Sequence, residues 1–387
     1  MNDFNYSYPV HVYFGTNASE KALRQEMKRF GKTVMIAYGG GSVKRNGMYD
    51  RIAALLKEEG KEIVAFSGIM PNPTYAKVQE GAALAKQAGV DFILALGGGS
   101  VIDCCKIIAA QARMEEDIWD MEFESHRFPT KWIPMGAIVT VTGTGSEMNN
   151  GAVITHEGKK LKNGLLGAFA EFAVLEPAFV MTVPDKQVLS GAFDSLSHCM
   201  ETYFGSPRTA NVSDEINEAV QRNIITHIRV IVNDIKNEAA RRELMWDSAL
   251  AENGILKLGK VTDFQNHMIE HQLGAYTDCN HGCGLAVIHP AVYRHIYKNA
   301  LDRFSHWATA VWQVSPEGKT RDELALAGID ALAGFIKEIG LPANFRELGI
   351  DASDELLRKV ADSSRIQPGC CKQLTADEIF DILKECR

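Results

Sequence analysis

The sequence lacks any apolar run long enough to cross a membrane, and it carries no excess of positive charge. Its first six residues lack the basic start and the apolar core of a secretory signal peptide. The formal net charge at pH 7 is -8, which provides no electrostatic attraction to a phosphate backbone or an anionic membrane. We therefore expect a cytoplasmic protein that binds neither nucleic acid nor membranes.

The eight cysteines do not form the framework of a disulfide-rich secreted domain. The most metal-like arrangement is Cys279-x-His281-x-Cys283, but no second pair of cysteines with matching spacing accompanies it. Cys199 directly follows a histidine of interest, His198, without an evident role of its own. We interpret the cysteines as mostly structural residues of a protein from a reducing compartment.

Short β-rich runs alternate with helical patterns in the first half of the 387-residue chain. The runs lie at 10–14, 33–38, 63–66, 91–96 and 136–141. Repeated strand–loop–helix units predict a parallel, Rossmann-like sheet that is covered by helices.

The pattern changes near Pro184, after which no run predicts a strand convincingly. Helical periodicity is visible at 212–236, 241–258 and 321–339. We therefore predict an α/β domain at 1–184 and an all-α domain at 185–387. We expect the functional site in the crevice between them, since ligand pockets are common at such places.

Three glycine-rich turns follow predicted strands, at 39–42, 97–100 and 142–146. At the carboxyl edge of a parallel sheet, glycines let backbone N–H groups approach phosphate oxygens, and the next helix adds its positive dipole end. The best pyrophosphate candidate is the run Gly97-Gly98-Gly99-Ser100, which leads to Asp103. None of the turns is a G-x-G-x-x-G fingerprint or a P-loop. The glycines could instead only make tight turns, but three such loops on one sheet favour a dinucleotide.

The first of these loops favours NADP(H) over NAD(H). A standard NAD site has an acidic residue after a strand to hold the ribose 2′-hydroxyl. Here the strand is followed by Gly39-Gly40-Gly41-Ser42, with Lys44 and Arg45 close behind. A small polar loop with nearby cations accommodates a 2′-phosphate.

Acidic and imidazole side chains in the second half are spaced as metal ligands. Asp194 and His198 are four residues apart and share one helix face, as do His267 and His271, and His281 follows. One carboxylate with two or three imidazoles suits Fe(II) or Zn(II) rather than Mg or Ca. The spacing leaves open which of the three later histidines bind the ion. Other histidines, taken singly, are more often surface or satisfied core residues.

A dinucleotide combined with a divalent cation indicates hydride transfer. Such an ion lowers the pKa of an alcohol hydroxyl and, in the reverse direction, polarises an aldehyde carbonyl, while the nicotinamide exchanges the hydride. Acyl transfer has no support, because the sequence contains no G-x-S-x-G nucleophile elbow.

Several motifs together resemble the iron-containing (group III) alcohol dehydrogenases, and within them the butanol dehydrogenase and broad aldehyde reductase branch. The resemblance covers essentially the whole chain. Its motifs are YGGGSVK at 38–44, GGGSVID at 97–103, TGTGSE at 142–147, GAFDSLSH at 191–198, and the run from His267 through HQLG at 271–274 to His281-Gly282.

This resemblance implies a dehydroquinate synthase-like fold, with a dinucleotide-binding domain followed by a helical metal domain. It implies that the metal ligands are Asp194, His198, His267 and His281. His271 would stay uncoordinated beside the nicotinamide and substrate, where it relays a proton. The cofactor positions it implies are Gly97, Gly98, Gly99, Ser100 and Asp103, with weaker matches at Thr140, Thr142, Asn149 and Lys160. It also implies a homodimer paired through the N-terminal domains.

Three alternatives remain beside an oxidoreductase of short-chain primary alcohols and aldehydes. The same fold could act on a polyol or on lactaldehyde or propanediol. A lyase like dehydroquinate synthase would need a pocket rich in Lys and Arg, and the region 250–285 is poor in them. A non-catalytic nucleotide or metal sensor would bind the cofactor without turnover.

Overall fold

The computed structural model describes residues 1–207 and 210–387. Their contacts form two compact units, one of Ser7–Pro184 and one of Met1–Tyr6 together with Asp185–Arg387. The first six residues, which the sequence analysis assigns to the α/β domain, therefore lie with the helical unit. There the backbone N–H of Asn2 donates to the carbonyl of Gly259 at 3.0 Å. Among the described residues, no helix is both long and apolar enough to span a bilayer.

The α/β unit is built on a parallel sheet of six strands. Its strands are β1 (His11–Phe14), β2 (Thr33–Tyr38), β3 (Glu62–Phe66), β4 (Phe92–Gly97), β5 (Met135–Val139) and, after the hairpin strands β6 (Gly151–His156) and β7 (Leu161–Leu166), β8 (Ala170–Leu175). The order across the sheet is β1-β8-β5-β4-β2-β3, and every neighbouring pair is parallel. Every residue of β4 is buried, as expected of a central strand that helices cover on both faces.

Six helices accompany this sheet. They are α1 (Ala18–Glu26), α2 (Ser42–Arg45), α3 (Met48–Glu58), α4 (Tyr75–Gln87), α5 (Gly99–Gln111) and α6 (Ile118–Phe123). They connect successive strands and cover their apolar side chains. The rings of Phe92 on β4 and Phe172 on β8, for example, stack within the core with centroids 5.8 Å apart.

Three strands, β6, β7 and β8, were not predicted from the sequence. β8 is a short and mostly buried apolar run, which periodicity alone does not distinguish from a helix. β6 and β7 form an antiparallel hairpin outside the main sheet, closed by a turn in which Lys160 has a φ of 51°.

In the described part of the second unit the regular elements are helices, apart from an isolated bridge between Ser206 and Val261. Its helices are α7 (Asp185–Tyr203), α8 (Val212–Asn233), α9 (Glu238–Glu252), α10 (Gln265–Thr277), α11 (His281–Ile296), α12 (Leu301–Ala310), α13 (Arg321–Glu338), α14 (Phe345–Leu348), α15 (Asp354–Ser363) and α16 (Ala376–Glu385). The predicted fold class, a parallel α/β sheet followed by an all-α domain, is confirmed.

Candidate functional site

The three glycine-rich turns follow adjacent strands of the sheet. They come after β2, β4 and β5, and β4 pairs with both of the others. From β2 the chain passes outward to β3 and then returns to β4 on the opposite side of β2. Such a reversal is a topological switch point, and open α/β sheets bind ligands outside the carboxyl ends of the strands there. The loops at 39–42 and 97–100 flank this point.

The glycines at the end of β4 allow two of these loops to pack against each other. A Cβ atom on Gly99 would lie 2.3 Å from the hydroxyl oxygen of Thr144, and one on Gly98 would lie 2.9 Å from the Cβ of Val141. The helix α5 begins at Gly99 and runs for 13 residues. The N-terminus of α5 therefore lies at the switch point, where glycines leave space for a ligand. Its free N–H groups and positive dipole end suit an anionic pyrophosphate.

Asp103 and Asn149 belong to a buried polar network behind these loops. Asp103 accepts hydrogen bonds from the hydroxyl of Ser146 and, at 2.9 Å, from the backbone N–H of Val153. The fully buried Lys106 donates to Ser146 Oγ at 2.8 Å and to Asn149 Oδ1 at 2.9 Å. Burial raises the pKa of the Asp103 carboxyl. These contacts tie α5 to the third glycine loop and to the hairpin, so both residues are placed to hold that loop in shape.

The remaining predicted cofactor residues are spread more widely. Thr140 donates its backbone N–H to the carbonyl of Gly97 at 3.0 Å. Thr142, two residues later, is half-buried. Lys44 is exposed, with its ammonium 4.4 Å from the ring centroid of Tyr49. Lys160 is exposed in the hairpin turn, whereas Lys162, two residues later, is buried, and its charge partly opposes the rise in the pKa of Asp103 that burial causes.

In the helical unit, Asp194 is the centre of the predicted metal-binding residues. Its Oδ1 atom lies 3.4 Å from the Nε2 atom of His267, 3.5 Å from that of His281 and 3.8 Å from that of His198. Asp194 and His198 project from α7, His267 from α10, and His281 from the first position of α11. The ligand atoms of Asp194, His267 and His281 all lie within 4.8 Å of one another.

These side chains fit a divalent transition metal ion. Within the described residues, neither Asp194 Oδ1 nor His267 Nε2 has a hydrogen-bond partner, although both atoms are buried. Unsatisfied buried polar atoms are rare and costly in folded proteins. A bound cation would satisfy both, and one carboxylate oxygen with three imidazole nitrogens is a donor set that Fe(II) and Zn(II) accept.

Two glutamates that the sequence analysis missed orient the imidazoles. Glu201 Oε2 accepts a hydrogen bond from His267 Nδ1, and Glu270 Oε2 accepts one from His281 Nδ1. In the neutral form of each ring the proton is thereby held on Nδ1, which leaves the lone pair of Nε2 directed at Asp194. The spacing contained a signal, because Glu201 lies seven residues after Asp194, on the same face of α7, and Glu270 lies three residues after His267.

Comparison with known proteins identifies the family. The model described as iron-containing alcohol dehydrogenase matches residues 9–177, and the C-terminal model of the Fe-containing alcohol dehydrogenase family matches residues 188–386. The chain belongs to the iron-containing alcohol dehydrogenase family. It is therefore an oxidoreductase, and the resemblance that its motifs carry is confirmed.

Full-length relatives agree with this membership. The chain is 36% identical to the probable NADH-dependent butanol dehydrogenase 1 of Bacillus subtilis, with 99% of each chain covered. It is 33% identical to the NADPH-dependent aldehyde reductase of Escherichia coli, with 97% of each covered. The crystal structure of the NADH-dependent butanol dehydrogenase A from Thermotoga maritima is similar with a TM-score of 0.93 and 32% identity, covering 100% of this chain and 99% of that one.

The charges at the cluster favour a cation. Burial alone would raise the pKa of Asp194, but the positive charges of His198 and His281 outweigh burial and hold that pKa well below its usual range. Burial alone would lower the pKa of His267, but the charges of Glu201 and Asp194 raise it to about 10. Metal ligands must be deprotonated, so a cation bound by these residues would displace a proton from His267.

His271 and the nearby cysteines lie around the cluster without joining its central trio. The ring of His271 is buried, with its centroid 5.5 Å from that of His281, and together with Glu270 these residues form a second group of possible ligands. Cys279 is half-buried, and its Sγ lies 3.7 Å from Glu270 Oε1. All eight cysteines lie in the described part of the chain, and none forms a disulfide.

A close approach of two helices holds His281 beside Asp194. A Cβ atom on Gly282, at the start of α11, would lie only 2.1 Å from the carbonyl oxygen of Ser190 on α7. Since that contact is with backbone, it cannot be relieved by a side-chain rotation. Gly284 makes room in the same way for Glu270, whose Cγ would lie 2.8 Å from an added Cβ.

We predict that Gly282→Ala separates α11 from α7. The overpacking should cost about 1–3 kcal/mol of stability, and bound Fe(II) or Zn(II) per chain should fall because His281 moves away from Asp194. Urea unfolding and metal analysis after dialysis measure the two effects. The control is Gly334→Ala on α13, where an added Cβ meets no atom within 4 Å. Equal metal content and equal unfolding midpoints in the two variants would contradict the prediction.

Proposed function

We propose that this family member transfers a hydride between NAD(P)H and short-chain primary alcohols or aldehydes, with Fe(II) or Zn(II) bound by Asp194, His198, His267 and His281. The observation that carries the proposal is the buried Asp194 oxygen, which faces the Nε2 atoms of three imidazoles at 3.4–3.8 Å. The names of the full-length relatives, a butanol dehydrogenase and an aldehyde reductase, support the substrate class.

A divalent cation held there would acidify an alcohol hydroxyl or polarise an aldehyde carbonyl. The chain supplies the rest of the environment. Asp194 contributes one negative charge. Glu201 keeps the imidazole of His267 in one tautomer, and Glu270 does the same for His281. A bound nicotinamide would take the hydride from the substrate carbon in alcohol oxidation, and the hydroxyl would release a proton. We assign that proton to His271, a buried imidazole beside His281.

For the nucleotide, we propose that the pyrophosphate binds at the N-terminus of α5. The residues that contribute are Gly97, Gly98, Gly99 and Ser100, while Asp103, Thr140, Thr142 and Asn149 support the adjoining loop. The proposed preference is for NADP(H), because the loop at 39–42 contains no carboxylate and is followed by the exposed Lys44 and Arg45. The relatives include both NADH-dependent and NADPH-dependent enzymes, so the preference needs its own test.

We also propose that the α/β unit is the nucleotide-binding domain and the helical unit the metal-binding catalytic domain. A cytoplasmic homodimer is the proposed working form. The resemblance of the motifs to the family supports this assembly.

A turnover screen tests the proposed function. Chain loaded with Fe(II) or Zn(II) should oxidise NADPH or NADH with butanal. Asp194→Ala should reduce both the rate and the metal content more than about 100-fold, since changes to residues that only orient the ligands already cost about 10–100-fold. The loss of absorbance at the nicotinamide band gives the rate. The control is Asp302→Ala, which removes an exposed carboxylate paired with Arg321.

The same screen separates the alternatives. Faster reduction of lactaldehyde than of butanal, or faster oxidation of glycerol or propanediol than of butanol when NADP+ or NAD+ is supplied, would favour a polyol or lactaldehyde/propanediol oxidoreductase. Cofactor binding without turnover of any carbonyl would favour a sensor and would contradict the proposal.

A second prediction concerns the 2′-phosphate. Lys44→Ala should raise the KM for NADPH roughly tenfold, because a hydrogen bond to a charged group contributes about 1.5 kcal/mol or more, and should leave the KM for NADH nearly unchanged. Steady-state kinetics with both cofactors measure the difference. Lys28→Ala is the control, since Lys28 is exposed and precedes β2, at the opposite end of that strand. Equal effects of Lys44→Ala on both cofactors would contradict the placement.

A further inference from the structure

We propose that Glu201 is a positioning residue of the cation site, which it builds by fixing both the tautomer of His267 and the start of the helix that carries it. This inference rests on the proposed function, because it assumes that His267 binds a metal ion through Nε2. It assigns a role to a residue that is not itself a predicted ligand.

The contacts of Glu201 join two helices of the site. Glu201 lies on the face of α7 that carries Asp194 and is fully buried. Its Oε2 atom accepts from His267 Nδ1. Its Oε1 atom accepts from the backbone N–H of Asn266 at 2.6 Å and from that of His267 at 3.4 Å. One carboxylate thus holds His267 by its ring and by its backbone.

At the beginning of α10, Asp263 accepts from the backbone N–H of Gln265 at 3.2 Å, but the next two N–H groups, those of Asn266 and His267, take their acceptor from elsewhere in the chain. Helix N-termini leave N–H groups without intrahelical partners, and a side chain at the N-cap usually accepts from one of them. The N-cap of α10 is Phe264, which has a φ of 53° and no side chain able to accept. Glu201 takes this role from α7, and its negative charge is favourable at the positive end of the α10 dipole.

The tautomer of His267 decides whether Nε2 can bind a cation. With the proton on Nδ1 and donated to Glu201, the Nε2 lone pair faces Asp194 Oδ1 at 3.4 Å. With the proton on Nε2, that nitrogen would donate to Asp194 and could not be a ligand. Ser197 Oγ lies 3.5 Å from Glu201 Oε2 and 2.7 Å from His289 Nε2. These contacts help to fix the orientation of the Glu201 carboxylate.

Glu201→Gln separates the positioning role from a purely structural one. The amide oxygen can replace Oε1 as acceptor for the first turn of α10, and the side chain keeps its size. The amide NH2 group then faces His267 Nδ1 and favours the opposite tautomer. A side chain that only completed the helix terminus would lose little in this variant.

The test is competition for Co²⁺ between the full chain and a chromophoric chelator. Glu201→Gln should raise the dissociation constant about 10–100-fold and alter the visible spectrum of bound Co²⁺, while the far-UV circular dichroism of the metal-free chain stays unchanged. The matched control is Glu218→Gln. Glu218 is also buried and accepts from Tyr203 at 2.9 Å, but its histidine neighbour, His306 at 3.1 Å, is outside the ligand set.

A second measurement does not depend on the variant folding. In wild-type chain loaded with diamagnetic Zn²⁺, ¹⁵N NMR of labelled histidine should show the proton of His267 on Nδ1 and the metal on Nε2. Coordination through Nδ1 would overturn the inference, as would equal affinity and spectrum in Glu201→Gln and wild type. A wild-type chain that fails to retain Co²⁺ would overturn the proposed function and this inference together, so the two failures are distinguishable.

Discussion

The buried carboxylate of Asp194 and the imidazole nitrogens around it form the interaction on which the helical unit depends. An ionised carboxylate is costly to remove from water unless it is paired and hydrogen-bonded. Asp194 is only 3% exposed, yet its Oδ1 has three imidazole nitrogens within 3.8 Å and no hydrogen-bond partner among the described residues. A divalent cation would compensate the charge of the carboxylate and accept the lone pairs of the imidazoles together, so these residues fit a cation site.

Much of the surrounding packing maintains that arrangement. The side chains that we propose as ligands come from α7, α10 and α11, so they are brought together only where these helices meet. Gly282 permits the backbone of α11 to approach Ser190 on α7, and Glu201 links α7 to the first turn of α10. The α/β unit uses glycine in a related way, since Gly98 and Gly99 let two loops pack closely at the switch point of the sheet.

The features that could be predicted from the sequence are those that depend on residues close together in the chain. Asp194 and His198 share a face because they are four residues apart on one helix, and an apolar run such as β4 predicts a central strand without further information. Spacing could not choose between His267 and His271, because both lie on α10 and only the packing against α7 determines which ring meets Asp194. Glu201 was missed for the same reason: its partner is distant in sequence.

The hairpin and the strand that follows it could not be predicted from hydrophobic periodicity. β8 follows a hairpin whose strands show no clear alternation of apolar and polar residues. Within that hairpin, Lys160 is an exposed turn residue, whereas Lys162 is buried. Asp103 was predicted from its place after a glycine run, but its hydrogen bonds to Ser146 and Val153 depend on contacts with the third loop and the hairpin. Such tertiary contacts follow from the folded chain rather than from local sequence.

Anomalous diffraction from crystals grown with Fe²⁺ or Zn²⁺, recorded on both sides of the metal absorption edge, tests the central claim most directly. We expect one strong anomalous peak per chain, at about 2.0–2.2 Å from a carboxylate oxygen of Asp194 and from the Nε2 atoms of His198, His267 and His281. A fully loaded crystal with no peak at these side chains, or with its peak bound by other residues, would contradict it.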